Sequence, residues 1–148
     1  MSDPSQFTEM EWIRFLDIEP LAADAGWAVI RLQPKPVHLN HNGTVNAPIL
    51  FGLAEVAGAG VVVAGMLPEA ASSYTVVRSA NIEYVAPARG GVTATGHIAS
   101  SVFIKAIEDV TARRPVEVEV PVTISDAAGT LVASASFVIA IRPRRQRP

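Results

Sequence analysis

Residues 47–67 read APILFGLAEVAGAGVVVAGML, 21 residues in which Glu55 is the single charge. A helix of that length is long enough to span a bilayer. Its details point elsewhere. A charge near the middle is costly in lipid, and Gly52, Gly58, Gly60 and Gly65 interrupt the run. No basic cluster flanks it closely, and the sequence after it alternates as amphipathic strands. The reading is a helix buried on most sides within a folded domain. Pro48 fits the first turn, so Asn46 or Ala47 is the expected N-cap, with Asn46 the stronger capping type. The helix is expected to end near Gly65 to Pro68.

Upstream, His38 to Asn46 (HLNHNGTVN) is a polar loop. Trp27 to Gln33 alternates as a strand, ended by Pro34 and Pro36. Asp17 to Ala25 reads as a connection broken at Pro20. Thr8 with Glu11 fits a capping box for a short helix on which Met10, Ile13 and Leu16 share a face. Downstream, four strands are expected: Tyr74 to Val85, Val92 to Ile104, Val116 to Ile124 and Thr130 to Ile141. Val116, Val118, Val120, Val122 and Ile124 face one way, while Glu117, Glu119, Pro121, Thr123 and Ser125 face the other. Pro87 to Gly91 and Asp126 to Gly129 read as hairpin turns, which makes the later strands antiparallel. One long apolar helix against one antiparallel sheet is a two-layer α+β fold.

The chain has 148 residues, one domain's worth. The expected division is a single domain over 1–141, whose first 24 residues are the helix and connection, and a basic, disordered tail over 142–148. That tail holds four of the 12 Lys and Arg residues, leaving 8 basic against 14 acidic residues, a body of net charge −6. An acidic body without a basic, aromatic face does not suit nucleic acid. Met1 to Pro20 is acidic and lacks an apolar core, so no signal peptide is expected. The absence of cysteine excludes disulfides, Cys-ligated zinc and thiol chemistry, and is compatible with the cytoplasm, the expected location. His38, His41 and His97 have no metal-ligand spacing, so no metal is expected. There is no G-x-S-x-G elbow and no phosphate-binding P-loop.

Glu55 is what remains. Within the helix its neighbours at i±3 and i±4 are Gly52, Gly58, Phe51 and Ala59, none able to pair with it. It is either a half-exposed carboxylate satisfied by water or a candidate general base or nucleophile. The helix start is the second feature, because its free N–H groups and positive dipole end can hold an oxyanion. Pro48 has no N–H, so Ala47 supplies the first donor, and the Asn46 and Asn40 side chains could add others. Ala47 and Glu55 are eight residues apart, about 12 Å along a helix axis. One small carbonyl cannot touch both in a single chain. If both act on one substrate, they come from two chains in a two-fold dimer.

Residues 40–55, NHNGTVNAPILFGLAE, resemble the signature N-x-x-G-T-x-H-G-G-x-L-F-x-L-A-D of hotdog-fold acyl-CoA thioesterases, in particular the PaaI-like group. Tyr84 to Ala88 is similar to that group's strand end before a Gly-containing turn. The resemblance implies a hotdog fold, a long helix wrapped by a five- or six-stranded antiparallel sheet, pairing into homodimers and often homotetramers. It implies that Glu55 attacks the thioester carbonyl or activates water, that the Ala47 N–H polarises the carbonyl, and that Asn46 and Asn40 lie beside the reacting group. His41, Gly43 and Thr44 become expected substrate contacts, and Arg89 a candidate for coenzyme A phosphates. No cofactor is implied, since coenzyme A is part of the substrate. Asn46, Ala47 and Pro48 stand where the signature has His-Gly-Gly, and Glu55 where it has Asp.

Three functions fit these residues. The first is hydrolysis of a small or medium acyl-CoA thioester. The second is a hotdog acyl dehydratase or hydratase using His41 with Glu55. The third is a non-catalytic protein that binds acyl-CoA.

Overall fold

Six strands, all paired antiparallel, contact one long helix in the computed structural model of the chain, which describes residues 9–65 and 72–144. The elements run α1 (Glu11–Phe15), β1 (Ile18–Asp24), β2 (Trp27–Leu32), a 3-10 turn (Pro36–His38), α2 (Ala47–Val63), β3 (Ser73–Tyr84), β4 (Val92–His97), α3 (Ser100–Thr111), β5 (Val116–Asp126) and β6 (Leu131–Pro143). The sheet order is β1-β2-β4-β5-β6-β3, so β1 and β3 are its edges.

Burial follows the alternation of the strands. On β5, Val118, Val120, Val122 and Ile124 are buried, while Glu117, Glu119, Pro121 and Thr123 face out. The inward residues meet α2, where Leu50, Leu53, Ala54, Ala57 and Val61 are buried. Phe137 of β6 sets its ring edge-on to Phe51, centroids 5.5 Å apart. Burial of a side chain of this size contributes about 1.5–3 kcal/mol. Small residues let the layers close: a Cβ on Gly96 would lie 2.7 Å from Val61 and 3.2 Å from the Ala57 carbonyl. Among the described residues, no helix is long and apolar enough to cross a membrane.

The structure departs from the sequence reading at four places. Residues 18–24 form a strand, not a connection. Pro20 is tolerated because β1 is an edge strand, and the register shifts between Pro20 and Ala22. Residues 100–111 form α3, not the end of a strand: Phe103, Ala106 and Val110 recur at helical spacing and are buried. Pro87 to Gly91 is not a hairpin turn, because β3 pairs with β6 while β4 lies between β2 and β5. Residues 142 and 143 continue β6 rather than starting a tail: Arg142 lies opposite Tyr74 and donates to Glu117 at 2.9 Å. At α1 the N-cap is Met10. The long helix, expected to end near Gly65 to Pro68, ends at Val63 with Ala64 as its C-cap. Thr8, residues 66–68 and residues 145–148 of the tail lie outside the described residues.

Candidate functional site

The loop before α2 is built around Asn40. Its Oδ1 accepts from the N–H groups of Asn42 (2.9 Å) and Thr44 (3.2 Å). Its Nδ2 donates to the Thr44 hydroxyl at 2.9 Å. The Gly43 N–H closes a turn onto the Asn40 carbonyl at 3.0 Å, with Gly43 at φ +69°, a conformation cheap for glycine. Leu39 and Val45 bridge the loop's base. Asn40 is thus an Asx-type organiser whose amide is occupied inside its own loop. His41 and Gly43 lie at the exposed tip, and Thr44 is buried.

His38 braces the loop from below. It is 1% exposed, and its Nδ1 accepts from the Lys35 N–H at 3.0 Å. The remaining proton of the neutral ring therefore sits on Nε2, which has no partner among the described residues. The His38 carbonyl accepts the Asn46 N–H at 2.8 Å, which fixes where α2 begins.

Asn46 is the N-cap in extended conformation, but its exposed side chain makes no capping bond. Its carbonyl takes the N–H groups of Ile49 (2.9 Å) and Leu50 (3.1 Å). Pro48 has no N–H. One donor is left over: the Ala47 N–H has no partner among the described residues. Ala47, Asn40 and Thr44 line an open cavity of about 360 Å³, whose opposite wall is the chain from Tyr84 to Ala88. The Val45 N–H ties the two walls together through the Ala88 carbonyl at 2.9 Å.

Tyr84 is the site feature that the sequence reading did not single out. It lies opposite buried Ala133 on the helix side of the sheet. Its hydroxyl donates to the Ala47 carbonyl at 3.2 Å. Burial pushes that hydroxyl above the ordinary tyrosine pKa of 10.0, so it is a protonated donor at neutral pH.

Glu55 lies two turns further along α2. It is half-buried, on the stripe of half-buried residues that includes Phe51, Ala59 and Val63. It makes no hydrogen bond or ion pair among the described residues. It does not line the cavity beside Ala47, and neither do Asn46, His41, Gly43 or Arg89. Arg89 is exposed in the loop after β3. Among the described residues, no three His, Asp or Glu side chains group as a metal site.

Residues 14–141 match the family model described as "Domain of unknown function (DUF4442)". No curated protein matches the sequence. Solved structures share the fold at low identity. A Pseudomonas aeruginosa protein of unknown function, named a probable thioesterase, superposes with TM-score 0.82 at 18% identity, covering 97% of this chain and 99% of that one. The E. coli PaaI protein from the phenylacetic acid degradation operon gives 0.69 at 18% identity, covering 93% and 92%. A mutant thioesterase enzyme from Staphylococcus aureus gives 0.73 at 17% identity, covering 90% and 100%. The six-stranded antiparallel sheet around a long helix is the hotdog fold, shared with these solved structures.

Proposed function

The chain belongs to the DUF4442 family, and from that premise and the geometry of α2 we propose that it hydrolyses an acyl-CoA-type thioester at a site shared by two copies. The observation that carries this reading is the separation of two unsatisfied groups on one helix. The free Ala47 N–H stands at the exposed helix start beside the cavity. The unpartnered Glu55 carboxylate stands about 12 Å further along the axis. A second chain with its helix antiparallel brings its Glu55 to the first chain's Ala47, and the two-fold axis repeats the site. The exposed edge strand β3, with Tyr74 and Val76 at 45% and 47% exposure, offers a surface for that pairing.

The thioester carbonyl oxygen accepts from the Ala47 N–H, reinforced by the positive end of the helix dipole. In one route Glu55 of the second chain takes a proton from water as the water attacks the carbonyl carbon, and returns it to the thiolate as the C–S bond breaks, leaving the acid. In the other the carboxylate itself attacks that carbon and expels the thiolate, forming an anhydride with Glu55. Water then hydrolyses the anhydride, which frees the acid and supplies the thiol's proton. Two of the structural relatives, one named a probable thioesterase and one a thioesterase enzyme, support this reading. Arg89 is proposed for the coenzyme A phosphates.

The test is release of free thiol from a panel of acyl-CoA thioesters. The expected result is turnover that falls about 100-fold or more in Glu55→Ala, the scale of a lost general base. Turnover indifferent to that change would remove Glu55 from the mechanism.

A further inference from the structure

We propose that Tyr84 is a positioning residue for this reaction: its hydroxyl, bonded to the Ala47 carbonyl, fixes the Ala47–Pro48 peptide and through the Ala47 Cα the orientation of the preceding peptide, so that the free Ala47 N–H stays beside the cavity. The inference rests on the thioester reading above.

The geometry gives that bond a specific task. Ala47 is the first residue of α2 and is followed by proline. A residue before proline is pushed away from the helical region by clash with the proline ring. Ala47 therefore sits in a conformation its own neighbour opposes. Two long-range bonds hold the segment against that tendency. On the upstream side the Asn46 N–H is held by the His38 carbonyl at 2.8 Å. On the downstream side the Ala47 carbonyl is held by Tyr84 at 3.2 Å. The free N–H lies between these two anchors. At 3.2 Å the Tyr84 bond is longer than the roughly 2.5–3.0 Å usual for a hydroxyl donor, as expected of a contact that tightens when substrate fills the site. Tyr84 also walls the cavity, so substrate entering there meets the ring that carries the anchor.

The experiment is a double-mutant cycle on thiol release, using Tyr84→Phe, Pro48→Ala and the double variant, with wild type and Glu55→Ala run beside them. Phe keeps the ring and deletes only the donor. The expected result is a kcat lowered about tenfold by Tyr84→Phe with KM within about twofold, the pattern of an interaction that matters in the transition state. In the Pro48→Ala background, where nothing pushes Ala47 from the helix, the same change costs less than about threefold. A merely structural tyrosine would give equal losses in both backgrounds. Equal losses, an unchanged kcat, or an effect on KM alone overturns the role of Tyr84. If wild type turns over and Glu55→Ala does not, such a failure falls on Tyr84 alone. A wild-type protein without turnover overturns both readings.

Discussion

Ala47 and Glu55 stand on the same helix, the first exposed with a free N–H and the second half-buried with a free carboxylate. They are eight residues apart, so the helix itself holds them about 12 Å from one another. No side-chain motion of Glu55 brings it to a carbonyl resting on its own chain's Ala47. The one rigid element that presents both groups also keeps them apart, and a second chain is the simple way to join them.

Asn40 is predicted to matter through the loop it organises. Its side chain accepts from two backbone N–H groups and donates to Thr44. Asn40→Ala leaves these groups without partners and is expected to lower unfolding stability by about 1–3 kcal/mol, measured by urea denaturation. Activity is expected to fall with it, since the loop lines the same cavity as Ala47. A variant as stable as wild type would contradict the organising role.

Gly96 is predicted to be intolerant of any side chain. The Ala57 carbonyl is helix backbone and cannot give way at 3.2 Å, and the Val61 methyl is 2.7 Å from the added carbon. Gly96→Ala is expected to cost about 1–3 kcal/mol by overpacking. Gly129→Ala makes a useful contrast, because open space surrounds it and only its φ of +82° is unfavourable. Thermal melts of the two variants should differ in cause: relief by Val61→Ala is expected for Gly96→Ala and not for Gly129→Ala.

Asp109 links stability to acid pH. Hydrogen bonds from Lys105 (2.7 Å) and Arg114 (2.6 Å) hold its carboxyl below the ordinary value of 3.8. A depressed folded-state pKa contributes stability that is present above 3.8 and lost as pH falls through the lower folded value. The melting temperature gap between wild type and Asp109→Asn should therefore be full at neutral pH and shrink below pH 3.8. Lys105 and Arg114 are more than half exposed, so added salt should narrow the gap as well. A gap independent of both pH and salt would contradict the assignment.

Much of this fold is written locally. The apolar run with Pro48 in its first turn marks α2, and the alternation from Val116 to Ile124 marks β5. Pro20 hides β1, because proline signals a break unless one knows that the strand lies at the sheet edge. Val102 and Ile104 are β-branched residues that disguise α3, whose buried face appears only when Phe103, Ala106 and Val110 are read together. Strand order is non-local, and nothing near residues 87–91 tells that β3 will pair with β6. The same divide runs through the site. The absence of an N–H on Pro48 makes Ala47 legible, and the apolar surroundings make Glu55 legible. The Tyr84 bond joins residues 37 apart in sequence, and only the packing of β3 against the helix start creates it. Likewise Asn40 looks like a free amide until its loop closes on it.

A site completed by two chains lets two differently broken chains repair one another when mixed. Ala47→Pro removes the free N–H at a helix position where proline fits, following an Asn46 already in the extended conformation that precedes proline readily. Glu55→Ala removes the carboxylate. Each variant alone should be inactive in thiol release. Unfolded and refolded together, they form mixed dimers in which one site joins an intact Ala47 to an intact Glu55. With half the dimers mixed and one of two sites intact in each, about a quarter of wild-type activity should return. A mixture as inactive as its parents, beside an active wild type refolded the same way, would contradict a site shared between chains.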